Sequence, residues 1–441
     1  MNALRRHVRS ISARFSSARV FALAVLALLG ALGGPALAVL EMQNLDLPPR
    51  RPALPDSVMT AARAAADAAN RFGCDLYGKL RTRPGNLVFS PFSVSTGLAM
   101  ACAGAAGTTW SEMATALRWA RKHGVLHESY GSLLRSERSV TSPSSFRLKV
   151  ADRLWGQRGS RFREAFLRVT REQYGAQLEA LDFAAAPEAS RQTINAWVSE
   201  KTDRRITDLL APGMIVSATR LVVTSAVDFY GSWAAPFDTM ATNVEPFHVS
   251  RSKTVEVPLM HRKCDCSLGR VEDLSILELP YRMEDLTMVV ILPDSTVGLG
   301  RLEGRLTAAA LRGWLAALHP VERADVYLPR WRFDSRFTLN EPLQSLGMVS
   351  AFDAQSADFS GMDGARDLSL ALVAHQAYVD VDERGTEAAA ATASGLALGY
   401  VREGPNAEFR ADHPFLFLIR DKLTGCILFL GRVVNPAETA S

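Results

Sequence analysis

The chain alternates between segments in which apolar residues have helical spacing and segments in which they have strand-like spacing. Apolar residues recur at helical spacing over 61–76 and predict a long first helix. Alternation at period two over 146–150 predicts a strand, and apolar runs at 274–281, 286–293 and 426–434 predict buried strands. These interleaved helices and strands predict mixed α and β structure without an internal repeat, and the length allows either two or three small domains or one large one.

One segment near the C-terminus has a pattern that suits both a loop and a strand. A strand-like stretch at 372–381 precedes Gly385, and every residue on one face of the following run is small and uncharged: Thr386, Ala388, Ala390, Thr392 and Ser394. Glu387 falls on the other face. Such a segment can enter a sheet without burying a charge, and Gly385 supplies backbone freedom at its start. An alanine-rich flexible linker is the alternative interpretation.

The residues around this segment resemble a known family. The run Glu383-Arg384-Gly385-Thr386-Glu387-Ala388-Ala389-Ala390-Ala391-Thr392 resembles the hinge of the reactive-centre loop in inhibitory serpins. Downstream, Phe409-Arg410-Ala411-Asp412-His413-Pro414-Phe415-Leu416-Phe417-Leu418-Ile419 looks like the serpin family signature. The resemblance covers nearly everything after about Ser57. It implies an α+β serpin fold, with several helices packed around three β-sheets and an exposed reactive-centre loop at about 383–408.

The resemblance also implies a function, which is suicide-substrate inhibition of serine proteases rather than enzymatic catalysis. In such a protein the target protease cleaves the loop and forms an acyl-enzyme, and the freed loop inserts into the main sheet and traps the protease. The sequence contains no hydrolase elbow, metalloprotease helix or phosphate-loop pattern. A non-inhibitory serpin that acts as a chaperone or binding protein is one alternative, and an unrelated extracellular hydrolase is another.

The expected partners follow from the same resemblance. We expect a monomer that acts on chymotrypsin-, elastase- or subtilisin-like serine proteases, with cysteine proteases as a further class. Neither a cofactor nor a metal is expected. Part of the formal net charge of +4 lies in an arginine-rich N-terminus, so the charge gives no reason to expect a nucleic-acid partner.

Five residues match positions at which serpins hold the main sheet closed or open it: Ser90, Ser93, Ser225, Trp233 and His375. Ser90 and Ser93 match two serines beneath the opening, although capping of a helix alone would also explain them. Trp233 matches the aromatic residue at the top of the sheet, where the loop first inserts. Ser225 stands where the family usually has an Asn that bonds the histidine matching His375. Because a hydroxyl is shorter, we predict a water-mediated contact.

The scissile bond is expected near the fifteenth residue counted from the hinge glycine. Counting from Gly385 gives Gly399, so we predict cleavage after Gly399 or after Tyr400. The loop is longer than is typical of the family, and two alternatives therefore stay open. Leu398 would suit an elastase- or subtilisin-like protease, and Arg402 would suit a trypsin-like one.

The N-terminus has the features of an export signal. Arginines precede an apolar run at 20–32, and Pro35-Ala36-Leu37-Ala38 has small-residue cleavage spacing. We predict a signal peptide at 1–38, a proline-rich exposed tether at 39–56 and a single serpin domain at 57–441. The predicted location is secreted or periplasmic, with an uncleaved anchor as the alternative, and no other segment could span a membrane. The Ala- and Arg-rich composition suggests a bacterial source.

Neither the cysteines nor the basic cluster at 118–123 indicates a further functional site. The sequence has five cysteines, an odd and sparse set that does not form a disulfide framework. Cys264 and Cys266 are the only close pair, and their spacing suits a surface hairpin better than a metal site. A basic cluster at 118–123 is interpreted as a solvated helix face, with a site for sulfated polysaccharide as the alternative.

Overall fold

Helices and strands alternate along the chain, as the pattern of apolar residues predicted. The structure is a computed structural model, and it describes residues 51, 53–119, 123–139, 146–176, 178–283, 285–386 and 407–438. The helices are α1 (Asp56–Leu80), α2 (Pro91–Cys102), α3 (Gly107–Ala116), α4 (His123–Arg138), α5 (Glu164–Val169), α6 (Pro187–Lys201), α7 (Leu299–Arg305), α8 (Ala308–Ala316), α9 (Asn340–Gln344) and α10 (Ser360–Asp363). A π-helical turn at Thr170–Tyr174 extends α5. Short 3₁₀ turns lie at Thr239–Ala241 and Ser350–Phe352.

The strands are β1 (Leu87–Phe89), β2 (Phe146–Gln157), β3 (Glu179–Leu181), β4 (Leu221–Ser232), β5 (Asn243–His248), β6 (Thr254–Val271), β7 (Leu274–Pro280), β8 (Leu286–Pro293), β9 (His319–Pro329), β10 (Trp331–Thr338), β11 (Leu370–Asp382), β12 (Gly385–Thr386), β13 (Glu408–Arg410), β14 (Phe415–Asp421) and β15 (Ile427–Val433).

A six-stranded sheet contains the hinge identified in the sequence. Its strand order is β10-β11-β12-β4-β2-β3. The two central strands, β4 and β11, are parallel and pair directly from Leu221–Leu370 to Asp228–Tyr378. At the other end of these strands the two residues of β12 lie between them, antiparallel to both. The sheet therefore has a gap at one end that is already occupied by the start of the loop.

Both faces of the six-stranded sheet are covered. Every residue of α2 is buried, and this helix packs against β2 and β4 on one face. On the opposite face, Ile194 and Val198 of α6 pack against Trp155, Val222 and Ala226. Because the sheet is covered on both sides, every residue of β4 except Ser232 is buried, including the polar residues within the strand.

The remaining strands form a nine-stranded sheet with the path β1-β15-β14-β8-β7-β6-β9-β13, to which β5 is added beside β6. The serpin resemblance implied three sheets, whereas the described residues form two. The reason is the 18-residue strand β6, which pairs with β5 and β9 and then continues to pair with β7. One strand shared in this way joins two groups of strands into a single hydrogen-bonded sheet.

One expectation about local environment was wrong, and a second has an exception. Cys264 and Cys266 do not lie in a surface hairpin, because both are buried within β6. Arg51 belongs to the segment predicted as an exposed tether, yet its side chain is buried and its Nη1 donates to Asp421 Oδ2 at 2.8 Å. Asp421 therefore holds this side chain against the body of the domain, with Glu137 Oε2 3.7 Å from Arg51 Nη2. Among the described residues, no helix is long and apolar enough to cross a membrane.

Candidate functional site

The start of the predicted loop is paired into the six-stranded sheet. Thr386 lies opposite Val381 of β11 and Gly231 of β4, and Gly385 lies opposite Asp382 and Ser232. A Cβ atom at Gly385 would lie 2.1 Å from the carbonyl oxygen of Gly231. Only glycine can occupy this position without moving the neighbouring strand. The hinge glycine therefore allows a close approach between the loop and β4.

Thr386 points inward, on the face that the period-two pattern predicted. The residue has no exposed surface, and its Oγ1 is 2.7 Å from the Tyr281 hydroxyl. Burial raises the pKa of Tyr281, so this hydroxyl stays neutral at physiological pH. The Tyr281 ring stacks on Trp233 with the ring centroids 4.7 Å apart. The first inward residue of the loop is therefore packed in a small polar site beneath two aromatic rings.

Trp233 holds the turn that connects β11 to β12. Its indole Nε1 donates to the carbonyl oxygen of Asp382 at 3.0 Å, and its backbone N–H donates to the carbonyl oxygen of Arg384 at 2.9 Å. The turn itself is closed by Asp382, whose Oδ1 accepts the Arg384 and Gly385 backbone N–H groups. The structure therefore places Trp233 where the resemblance implied, at the end of the sheet that the loop enters.

Glu383 fixes the beginning of the hinge through charge. Its Oε1 accepts hydrogen bonds from Arg330 Nε at 2.8 Å and from Thr242 Oγ1 at 2.6 Å. Burial alone would raise the pKa of Glu383, but these hydrogen bonds outweigh burial and lower that pKa. Glu383 is therefore ionised, and the charged pair with Arg330 links the hinge to the start of β10.

The middle of the sheet is closed by a buried chain of hydrogen bonds. His375 lies directly opposite Ser225 where β11 pairs with β4. The Ser90 backbone N–H donates to His375 Nε2 at 3.0 Å, so this nitrogen must be an acceptor. His375 Nδ1 is 2.9 Å from both the hydroxyl and the carbonyl oxygen of Ser225. The Ser93 hydroxyl is 2.8 Å from that of Ser225. Burial lowers the pKa of His375 to about 3, in agreement with a neutral imidazole.

The direct contact between Ser225 and His375 corrects the prediction of a water bridge. The parallel pairing of β4 and β11 places the two residues side by side, so even a short hydroxyl reaches the ring. Ser90 also caps α2, because its Oγ accepts the Ser93 backbone N–H at 3.0 Å. Capping and closure of the sheet are therefore both visible for Ser90, and they do not exclude each other.

Sequence reasoning missed Asp152, which extends this hydrogen-bond chain to β2. The Ser93 hydroxyl donates to Asp152 Oδ1 at 2.6 Å, while Asp152 Oδ2 is buried without a hydrogen-bond partner. Burial raises the pKa of Asp152 to about 8, against the lowering effect of the Ser93 and Ser225 hydroxyls. The sequence contained no signal for it, because Asp152 lies two residues beyond the strand predicted at 146–150 and inside the longer strand β2 that the structure shows. Its partners come from segments far away along the chain, so they could not be inferred.

Some predicted site residues lie outside the described residues. These are the hinge residues Glu387, Ala388, Ala389, Ala390, Ala391 and Thr392 and the candidates for the scissile bond, Leu398, Gly399, Tyr400 and Arg402. Within the part of the chain that the structure describes, no group of three or more His, Cys, Asp or Glu side chains could hold a metal ion.

Comparison with known proteins shows the family. The serpin (serine protease inhibitor) family model matches residues 67–436. The leukocyte elastase inhibitors of Bos taurus and Homo sapiens are 42% and 39% identical to this chain over 381 residues, which is 84% of the chain and 99% of each relative. The crystal structure of maspin matches with a TM-score of 0.78 and 26% identity, over 86% of this chain and 100% of maspin.

The chain belongs to the serpin family, and the predicted serpin fold is confirmed. It is an inhibitor of serine proteases and not an enzyme, as the resemblance implied.

Proposed function

We propose that this protein inhibits elastase-like serine proteases as a suicide substrate, by inserting its cleaved loop between β4 and β11. The observation that carries the proposal is the position of β12, whose Gly385 and Thr386 are already paired on both sides within the gap. The first two residues of the loop are therefore already inserted in the intact protein. After cleavage, insertion would continue along the boundary between the parallel strands β4 and β11.

The register of β12 predicts which residues would meet on insertion. Thr386 lies opposite Val381 and Gly231, so continuing the strand brings Thr392 opposite both His375 and Ser225. The inward residues before it would be Ala388 and Ala390, which are small enough to fit between packed strands. Insertion therefore replaces the direct contact between His375 and Ser225 with a strand that carries a threonine hydroxyl at the same level.

The length of the gap agrees with cleavage near Gly399. The pairing of β4 with β11 ends at Leu221 and Leu370, a level that the inserted strand would reach at residue 396 or 397. A protease linked to residue 399 or 400 would then be carried to the far end of the sheet. We retain Gly399–Tyr400 and Tyr400–Val401 as the proposed scissile bonds, with Leu398 and Arg402 as the alternatives.

Trapping of the protease requires that the cleaved loop inserts faster than water hydrolyses the acyl-enzyme. The protease serine attacks the scissile carbonyl, the peptide bond breaks, and the new amine leaves with the C-terminal fragment. The N-terminal side stays bound to the protease as an ester. If its strand inserts before water attacks that ester, the backbone gains hydrogen bonds on both sides and the protease is displaced. Small inward side chains and the preformed start at Thr386 both favour rapid insertion.

The identity of the target rests on the relatives and on the loop sequence. The relatives are named as inhibitors of leukocyte elastase, and Leu398, one of the alternative scissile residues, would suit an elastase- or subtilisin-like pocket. A carrier or chaperone serpin is less well supported, because the run 385–392 contains no proline and no bulky residue.

Export is a separate proposal that rests on the N-terminal sequence alone. The family match begins at residue 67, so the arginine-rich and apolar segment at 1–38 precedes it. We propose that this segment directs export to the periplasm or the extracellular space. A bacterial source gains no support from the relatives named above, which are vertebrate proteins. Fusion of the segment to a reporter, expressed in exporting and non-exporting hosts, would test it directly.

The function is tested by incubating the protein with pancreatic elastase, chymotrypsin, subtilisin and trypsin and separating the products on a denaturing gel. We expect a covalent complex with elastase that survives denaturation, together with a released C-terminal fragment. The mass of that fragment identifies the scissile bond. An active-site-blocked elastase, as the control, should give neither product. Complete cleavage without a complex for every protease would contradict the proposal.

A further inference from the structure

A short segment at the start of β5 lies between the two ends of the reactive-centre loop. Thr242 Oγ1 donates to Glu383 Oε1 at 2.6 Å, at the start of the hinge. Three residues further along, Glu245 of β5 forms an ion pair with Arg410 of β13, the strand at the other end of the loop. This segment therefore contacts both points from which the loop departs.

The same segment exposes apolar side chains to solvent. Met240, in the 3₁₀ turn before β5, is 88% exposed, and Val244 is 70% exposed. No other large apolar side chain is as exposed in the part of the chain that the structure describes. Single exposed apolar side chains are ordinary on protein surfaces, so the meaning of these two depends on what surrounds them.

Strand pairing places further apolar residues beside Val244. Val244 lies directly opposite Pro258 of β6, and Pro246 lies opposite Glu256 in the same antiparallel pairing. Val244 and Pro246 share one face of β5 because they are two residues apart, and these four paired residues are all exposed. We call Met240, Val244, Pro246 and Pro258 the loop-flanking surface.

Charged residues lie at the rim of the loop-flanking surface and attach it to the hinge. The Arg330 backbone N–H donates to the Pro258 carbonyl oxygen at 2.9 Å, and the Arg330 guanidinium pairs with Glu383. Glu256 lies opposite Pro246 and is exposed. An apolar centre with a charged rim is the usual composition of a protein–protein interface.

We propose that the loop-flanking surface is a second contact site for the target protease, separate from the segment that enters the active site of that protease. The inference deepens the proposed function and rests on it for the identity of the partner. Both ends of the loop are fixed beside this surface, so a protease bound to the loop is held close to it. The surface would receive an apolar part of the protease next to its active-site cleft.

This contact would act on the first, reversible complex and not on the covalent steps. Removing apolar side chains from the surface weakens binding of the protease, so a higher inhibitor concentration is needed for the half-maximal rate of loop cleavage. The limiting rate at saturation stays the same, because the loop and its hinge are unchanged. The fraction of cleaved inhibitor that traps the protease stays the same for that reason as well.

The test uses the full-length protein and whichever protease of the panel above cleaves its loop fastest. Release of the C-terminal fragment is followed at increasing inhibitor concentration for the natural protein, Met240→Ser, Val244→Ser and the double variant. We expect the second-order rate constant of release to fall about threefold in each single variant and about tenfold in the double variant, because apolar contact area with the protease is lost.

The matched control is Val349→Ser, which should release the fragment at the natural rate. Val349 is 53% exposed, and its backbone N–H donates to Glu112 of α3 at 2.9 Å, in a part of the protein that does not hold the loop. Thermal unfolding of each variant shows that it is folded. Met240→Ser lies outside the strand, so this variant provides a measurement that does not depend on the pairing of β5.

Fragment release distinguishes failure of this inference from failure of the proposed function. Cleavage without a trapped complex contradicts suicide inhibition, whereas slower release in the variants still supports a second contact. Release at the natural rate in the double variant would overturn the inference, and so would an equal loss of rate in Val349→Ser. A dimer of the natural protein, seen by sedimentation and abolished in the double variant, would overturn it as well, because a second copy would then occupy the surface.

Discussion

Replacing Asp152 with asparagine should stabilise the protein in a way that depends on pH. The carboxyl group of Asp152 is buried beneath the centre of the six-stranded sheet, with one oxygen bonded to Ser93 and the other without a partner. Its pKa is raised from 3.8 to about 8 by burial. Above its unfolded pKa the unfolded chain has lost this proton while the folded protein still holds it, so ionisation favours unfolding.

The sign and size of the effect follow from the two pKa values. A raised folded pKa means that the stability due to protonated Asp152 is fully present below pH 3.8 and is lost as the pH rises through about 8. The loss amounts to about 1.4 kcal/mol for each pH unit in that interval, and at pH 7 the upper bound is about 4 kcal/mol. The Asp152→Asn variant would escape this loss, although its amide N–H groups add a cost of about 1–3 kcal/mol that does not depend on pH.

The assay is denaturant unfolding of the natural protein and Asp152→Asn at pH 5, 6, 7 and 8. We expect the difference in unfolding free energy to move in favour of Asp152→Asn by about 2–3 kcal/mol between pH 5 and pH 7, and to level off near pH 8. The contribution of His375, which has the opposite sign, cancels in this difference. Asp67→Asn, an exposed position on α1, should give no pH-dependent difference of that size. A difference that is constant across the four pH values would refute the reasoning.

Three further substitutions test the hinge and the closure of the sheet. Thr386→Arg should turn the inhibitor into a substrate, because an unpaired guanidinium beside Tyr281 costs about 3 kcal/mol or more, whereas Thr386→Ser should still form the denaturation-resistant complex with elastase. Arg330→Gln should lower the free energy of unfolding by about 1 kcal/mol, since the partly exposed Arg330 is the charged partner of buried Glu383. Ser225→Ala should cost about 1 kcal/mol in the same measurement, since the Ser225 carbonyl oxygen still accepts from the imidazole.

Each of these three predictions has an outcome that would contradict it. Trapping by Thr386→Arg at the natural rate would mean that the residue need not enter the sheet. Arg332→Gln is the matched control for Arg330→Gln, since Arg332 is exposed and lies 3.7 Å from Asp380, and equal destabilisation by both would remove the special role of Glu383. A loss of several kcal/mol in Ser225→Ala would show that the backbone carbonyl does not support the ring.

The sequence predicted the parts of the site that depend on local pattern. The period-two pattern put Thr386 on the inward face, and the structure buries it. Gly385, the residue before it, must lack a side chain because β4 approaches too closely to leave room for a Cβ atom. The serpin resemblance named Trp233 and His375, and both are buried where the hinge or the central strands meet. These features could be inferred because the alternation of residues between the two faces of a strand, and the motifs of a family, can both be recognised in short contiguous segments.

The parts that were missed depend on contacts between distant segments. Three of these residues come from separate parts of the chain: Tyr281, Arg330 and Asp152. The sequence around each of them does not indicate a contact with the hinge or with the hydrogen-bonded serines beneath the sheet. The prediction of a water bridge at Ser225 failed for a similar reason. Side-chain length was known, but the register that places Ser225 directly beside His375 was not. The number of sheets could not be predicted either, because it depends on strand pairing. Only the partners of β6 show that this strand continues from one group of strands into another.

The most direct test of insertion is the thermal stability of the protein before and after its loop is cut by a protease that is not its target. Insertion of about eleven residues would form about twenty backbone hydrogen bonds and break about eight that now join β4 to β11, so the net gain of about twelve is worth about 6 kcal/mol if each contributes about 0.5 kcal/mol. For a domain of about 380 residues the unfolding entropy is about 0.8 kcal/mol/K, so the melting temperature should rise by about 8 °C. Thr386→Arg, cut in the same way, should show a much smaller rise. A melting temperature that is unchanged after complete cleavage of the natural protein would contradict the claim that the loop enters the gap between β4 and β11.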